Sequence, residues 1–218
     1  GAVVAWPSST TNTILGDLSV TGTRYNGLRL PGVAGNYAST PDAAPLRITG
    51  DIEIVCRFGL SVTASQPGII GKHVAYRINL DSGGTKLEFS FWNGSTWRTI
   101  QSAACVSAGV DRWYRVRRVA SSGLVTIEYA ADAPTEPASW TSASSGTLDA
   151  GVSIASSSSA VEVGSRDVGL GAMAGTFYRA IVRNGIGGTT VFDADFTQKA
   201  WGADSFTEAQ GATVTING

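Results

Sequence analysis

Charge, cysteine, histidine and long apolar runs are all scarce in this chain, and each scarcity removes a class of function. Only 15% of the 218 residues are charged, and 16 basic against 17 acidic side chains leave a net charge of −1. With no basic stripe to track phosphates, nucleic acid is not expected as a partner. Two cysteines, Cys56 and Cys105, are too few for a disulfide-stapled scaffold. They read as small buried or semi-buried thiols, with one bridge between them as the open alternative. No apolar run approaches the roughly 20 residues that span a bilayer, so membrane insertion is not expected. Residues 1–7 lack a positive segment leading into an apolar one, so no signal peptide is visible. A chain opening on Gly1 reads as a processed start or as a fragment.

Helical periodicity is also missing: no stretch supports an amphipathic helix longer than about two turns, and no internal repeat is found. What is present is turn chemistry and β-branched residues. There are 27 glycines, with abundant Ser, Thr and Val, a composition that suits strands and turns and argues against disorder. The length fits one β domain with a core that needs no metal or disulfide. We read residues 1–218 as one domain, with 1–36 as a strand and loop segment packed on it.

Alternation carries the fold. In Ile52–Phe58, Ile52, Ile54, Cys56 and Phe58 fall on one face and Glu53 and Arg57 on the other, which predicts an antiparallel strand with one wet face. Tyr76–Leu80 and Lys86–Phe91 form a hairpin across Asp81-Ser-Gly-Gly84. A second hairpin turns at Asn93-Gly94, with Phe91-Trp92 and Trp97-Arg98 as its flanks. Trp113–Val119 and Leu124–Tyr129 pair across Ser121-Ser-Gly123. The run 131–159, rich in Pro, Ser and Ala around Trp140, is expected to cross between sheets. Val161–Val163, Phe177–Arg183, Val191–Phe196 and Ala212–Ile216 complete the set. Short strands separated by turn signals imply an all-β, two-sheet antiparallel β-sandwich. Its shared interior should hold Ile52, Ile54, Phe89 and Val116. Arg115, Arg117 and Arg118 alternate with apolar residues and read as a solvated or interfacial strand face.

Four segments in order resemble the laminin-G-like, concanavalin A-like jelly rolls. They are Tyr37–Thr40 with Ile48–Ile54; Ile69–Lys72 with Tyr76–Leu80 and Lys86–Gly94; Trp113–Val116 with Val125–Tyr129 and Trp140-Thr141; and Val161–Gly164 with Ala174–Gly185. Gly175 and Gly185 sit where such strands turn. Further pieces are similar to copies of this domain in virion proteins, particularly minor tail proteins, of phages infecting actinobacteria. These are Leu30–Pro41, the Asp132–Trp140 loop, and Arg183–Gly188 leading to Phe192–Phe196.

The resemblance raises three kinds of chemistry. Relatives include glucan hydrolases with acids alternating on one strand, and alternate strand positions, about 6.6–6.8 Å apart, suit two carboxyls flanking a glycosidic bond. Asp51 and Glu53 are the echo here, but Val55 and Arg57 follow where a third acid is needed, so they read as a wet strand face. The turn Asp81–Gly84 looks like the nucleophile turn of chymotrypsin-like proteases. However, His73 lies only nine residues before Ser82, against that family's chain order, and Leu80 replaces the preceding glycine. It reads as a hairpin turn. No Gly-x-Ser-x-Gly, Walker loop or zinc spacing occurs, so no catalytic residue is assigned.

No cofactor or metal site is assigned either. Calcium (Ca2+) at the sandwich rim is left open, with Asp42, Asp81, Asp132, Asp167, Asp193 and Asp195 as oxygen donors. Asp193 and Asp195 share a face opposite Phe192, Ala194 and Phe196, which reads first as solvated. For carbohydrate, exposed rings that stack on sugars beside amides and charges are the signature. Trp92, Asn93, Trp97 and Arg98 form the best such group. The alternative for the two tryptophans is cross-strand packing that stabilises the hairpin or burial against a neighbouring subunit. Trp140 and Trp201 read as plugs. Asn93-Gly-Ser95 is also a glycosylation sequon.

The expectation is a non-enzymatic virion structural protein, a minor tail or fibre-associated protein. Its lectin-like domain would pack on other virion proteins or copies of itself and contact host cell-surface glycans. The alternatives are a capsid decoration protein and a secreted or cell-surface carbohydrate-binding module.

Overall fold

The computed structural model describes residues 13–15, 26–63, 66–200 and 202–218. Most of the N-terminal segment assigned to 1–36, and Trp201, lie outside the described residues. The described elements are almost entirely strands. In chain order they are β1 (Thr13–Leu15), β2 (Gly27–Pro31), β3 (Tyr37–Thr40), β4 (Ile52–Leu60), β5 (Gly68–Lys72), β6 (Tyr76–Leu80), β7 (Lys86–Trp92) and β8 (Trp97–Ala104). They continue with β9 (Arg112–Arg118), β10 (Leu124–Ala131), β11 (Thr141–Thr147), β12 (Val161–Val163), β13 (Ala174–Asn184), β14 (Thr189–Asp195), β15 (Ser205–Thr207) and β16 (Thr213–Asn217).

Two antiparallel sheets form a sandwich. The first runs β1-β2-β13-β4-β9-β10-β11, with β14 paired to the far half of β13, and the second runs β15-β16-β3-β12-β5-β6-β7-β8. Between them lies one core, in which Ile52, Ile54 and Val116 of the first sheet meet Ile78 and Phe89 of the second. Phe58 stacks on Tyr114 at 4.5 Å between ring centres and on Phe177 at 5.8 Å, so three neighbouring strands of the first sheet share an aromatic layer. Both cysteines are free buried thiols, and burial raises each pKa.

The outer face of β4 is not wet. Glu53, Val55 and Arg57 are as buried as the inward row, because residues 132–140 fold back as a strap across the outside of the first sheet. Beneath it Val55, Trp113, Ala130 and Ile181 form a second apolar cluster, joined by Ala133 and Trp140. The strap is fixed at polar points. Asp132 pairs with Arg57, Glu136 shares Arg183 with Glu53, the Trp113 indole N–H donates to the Ala133 carbonyl at 2.9 Å, and Arg115 lies 4.4 Å over the Trp140 ring. Trp140 is thus a plug on the outside of the sandwich.

Three other expectations are corrected. Arg118 points inward and is fully buried, its guanidinium 4.0 Å over the Phe91 ring, whereas Arg115 and Arg117 face outward to Glu128. Within 131–159, residues Thr141–Thr147 add an edge strand to β10 before the chain crosses. Gly175 is not at a turn: it lies inside β13, where a Cβ would come 2.1 Å from the Gly59 carbonyl oxygen. Gly185 does follow the end of its strand, with φ +93°.

Candidate functional site

On the outside of the second sheet the loop carrying Ser165 and Gly169 covers Glu162, whereas the β7–β8 edge is open, with Thr99 and Gln101 exposed, and the aromatic hairpin lies there. In β7–β8, Trp92 is opposite Trp97, Ser90 opposite Thr99 and Glu88 opposite Gln101. Strand parity turns these six outward, while Leu87, Phe89 and Phe91 turn into the core. The turn is fixed by Asn93, whose Oδ1 accepts from the backbone N–H of Ser95 and Thr96 at 3.0 and 2.9 Å and from the Ser95 hydroxyl at 3.0 Å. Gly94 supplies a left-handed residue at φ +97°. Asn93 therefore shapes the hairpin tip.

Trp92 and Trp97 are both half-buried, with ring centres 5.6 Å apart and planes at 66°. In such an edge-to-face contact the ring that supplies the edge keeps its own faces clear of its partner. Arg77, on the neighbouring strand β6, lies 3.8 Å over Trp97 and fixes that ring from one side. Burial draws the Arg77 pKa below its ordinary value, opposed chiefly by the Asp167 carboxylate. Asp167 accepts from Arg77 Nη1 at 3.0 Å, lies 2.8 Å from His73 Nδ1 and 3.7 Å from Arg166 Nε. Asp167 and Val168 both have positive φ, +54° and +59°, an uncommon backbone state for a β-branched residue. The charged cluster therefore anchors a sharply bent loop beside the tryptophans. Between loop and sheet is a shallow hollow with room for about one water, lined by Gly71, His73, Arg77, Glu162 and Asp167 among others.

Of the four residues singled out in the sequence, the structure brings Trp92 and Trp97 together and gives Asn93 to the turn. It turns Arg98 to the other face, opposite Phe91, where Nη2 donates to Asp149 at 2.8 Å. The cation beside the rings is Arg77 instead. Strand parity could have found both: Trp97 outward forces Arg98 inward, and Arg77 alternates with the core residues Tyr76 and Ile78.

The six candidate calcium ligands are each engaged. Asp42 holds Lys72 and Arg47, Asp132 holds Arg57, Asp167 holds Arg77, and Asp193 holds Arg179. Asp81 accepts the Thr85 and Lys86 backbone N–H groups, and Asp195 caps a short 3-10 turn through Thr197. Among the described residues no group of three or more His, Cys, Asp or Glu side chains is placed to hold a metal ion. Asp51 and Glu53 are likewise occupied, by the Ala120 backbone N–H and by Arg183.

No family model and no curated protein matches the sequence. Solved structures do. A candidate carbohydrate-binding protein from Bacteroides ovatus aligns with a TM-score of 0.64 at 10% identity, over 85% of this chain and 58% of that one. The mouse laminin α1 chain domains LG4-5 align at 0.55 and 10% identity, over 97% of this chain and 51% of that one. The fold is a laminin-G-like, concanavalin A-type jelly roll. A native heptameric SAP-like pentraxin from Limulus polyphemus aligns at 0.52 and 12% identity, over 90% and 97% of the two chains. This jelly roll spans little more than half the length of the first two.

Proposed function

We propose that this jelly roll is a non-catalytic carbohydrate-recognition module that binds glycan on the outside of its second sheet. The observation that carries the reading is the Trp92–Trp97 pair, half-exposed on the open β7–β8 edge and braced by Arg77. Indole faces beside hydroxyl, amide and charged groups are the means by which proteins hold sugar rings, apolar on one side and rich in hydroxyls on the other. Cross-strand packing alone would be served by two rings without a cation stacked on one of them. The likeness in fold to a candidate carbohydrate-binding protein supports the reading.

The setting we propose is a phage particle, with the module in a minor tail or fibre-associated protein. The likeness of Leu30–Pro41 and of the Asp132–Trp140 loop to segments of virion proteins supports this. There it would pack on other virion proteins or copies of itself and touch host glycans.

A glycan array probed with the wild-type protein and Trp97→Ala tests the binding. Saccharide binding that falls about tenfold or more in the variant is expected; equal signals, or none, overturn the reading. Hydrolysis of a bound glucan would overturn its non-catalytic part. Mass spectrometry of purified particles tests the setting: a low-copy tail component is expected, whereas a high-copy head component would make it a capsid decoration protein. Absence from particles would leave a secreted or surface module.

A further inference from the structure

The geometry points to an uncharged, linear oligosaccharide as the ligand, lying along β8 and held over several rings rather than by one terminal sugar. This rests on the carbohydrate reading above and concerns the same face.

Along β8 the outward residues are Trp97, Thr99 and Gln101, the first half-buried and the other two exposed. Alternate positions on a strand are about 6.8 Å apart, so the row runs about 14 Å from indole to amide. Each member has a partner on β7. The exposed Thr99 hydroxyl is held 2.9 Å from the buried Ser90 hydroxyl, and the Gln101 amide donates to the Glu88 carboxylate. The face thus begins with an aromatic platform and continues as a strip of hydroxyl, amide and carboxylate groups in register. That order suits one ring stacked on tryptophan and the following rings hydrogen-bonded.

Shape argues for length. The hollow beyond Arg77, on the far side of the tryptophans from this strip, has room for about one water, far below the roughly 300 Å3 at which pockets begin to enclose a small ligand. An open face gains little from each ring it touches, so affinity must be gathered along the chain.

Charge argues for neutrality. The charges of the face offset one another: Glu88 and Lys86 share the outward side of β7 two positions apart, and Arg77 is already bound to Asp167 and stacked on Trp97. An acidic sugar would bring a like charge to Glu88 and find no net positive charge on the strip to draw it in.

The test is calorimetric titration with linear gluco-, manno-, galacto- and xylo-oligosaccharides of two to six units and with matching uronate series. Wild type, Trp97→Ala and the double variant Thr99→Val, Gln101→Ala are compared. Both positions of the double variant are exposed, and an unchanged far-ultraviolet dichroism spectrum confirms its fold. For at least one neutral series, affinity should climb about tenfold with chain length and then level off once the row is spanned. The double variant should keep the affinity for the shortest saccharides and lose the climb. Affinity independent of length, tighter binding of uronates, or a double variant identical to wild type overturns the inference. If Trp97→Ala still weakens binding in those cases, the carbohydrate reading survives. No binding by any series, or an indifferent Trp97→Ala, removes that reading and this inference with it.

Discussion

Arg57 and Asp132, 75 residues apart in the chain, form a two-point ion pair with Nε 2.7 Å from Oδ1 and Nη2 2.9 Å from Oδ2. The Arg57 side chain is 1% exposed and that of Asp132 35%. With the Trp113 indole bond to the Ala133 carbonyl, the pair fastens the start of the strap to the first sheet. Removing the carboxylate would leave a charge under the strap that has lost its two-point partner, and breaking a buried pair costs roughly 3–5 kcal/mol. Because Asp132 is partly in water, Asp132→Ala should cost about 2 kcal/mol. Denaturant unfolding checks this, and a change below about 0.5 kcal/mol would show that the strap does not depend on the pair.

Asp42 predicts the acid limb of stability. Hydrogen bonds from Arg47 and from the buried Lys72 hold its carboxyl down at about 2, against an ordinary 3.8. A carboxyl depressed on folding contributes its full stability above the unfolded value and loses it as pH falls through the folded one. The thermal midpoint should therefore fall between about pH 4 and pH 2. Asp42→Asn should be less stable at pH 7 and show a shallower fall across that window. Parallel curves for the two proteins would contradict the assignment.

At Gly175, Ala should destabilise through crowding rather than through lost contacts. Its Cβ would meet the Gly59 carbonyl oxygen at 2.1 Å and the Leu60 Cα at 2.9 Å, both backbone atoms of β4 that a side-chain rotation cannot move. Overpacking of this kind costs about 1–3 kcal/mol. Gly187→Ala is the control, with open space around its Cβ but φ +59°, so it should lose only about 1 kcal/mol of backbone preference. Chemical denaturation of the pair should rank Gly175→Ala as the more damaging.

Chelation should leave both stability and glycan binding unchanged. Every carboxylate considered for calcium already has an arginine, a lysine or backbone N–H groups against it. A shift of several degrees in thermal midpoint between excess calcium and excess chelator would show that one of those pairs opens to admit the ion.

Where side chains alternate, the sequence was readable: β4, β6, β7, β9, β10 and β13 all follow period two. β11 escaped because Thr141–Thr147 is an edge strand of small polar residues, without the apolar row that marks a buried face. The strap escaped for a different reason. Glu53 and Arg57 pointed to a wet face, yet Val55 shares their parity, and Trp113 and Ile181 fall on the same side of their strands. That apolar trio was a signal of a second covered surface. At the site, the paired tryptophans follow from the Asn93–Gly94 turn alone. The Arg77–Asp167 contact spans 90 residues, and no local pattern announces it.

The strap gives the molecule two unlike sides. With residues 132–140 sealing one flank, a mount that grips the sealed flank leaves Trp92 and Trp97 facing away from it. Copies fixed side by side in this way would all point their paired indole rings in one direction, so orientation is built into each unit before any assembly begins.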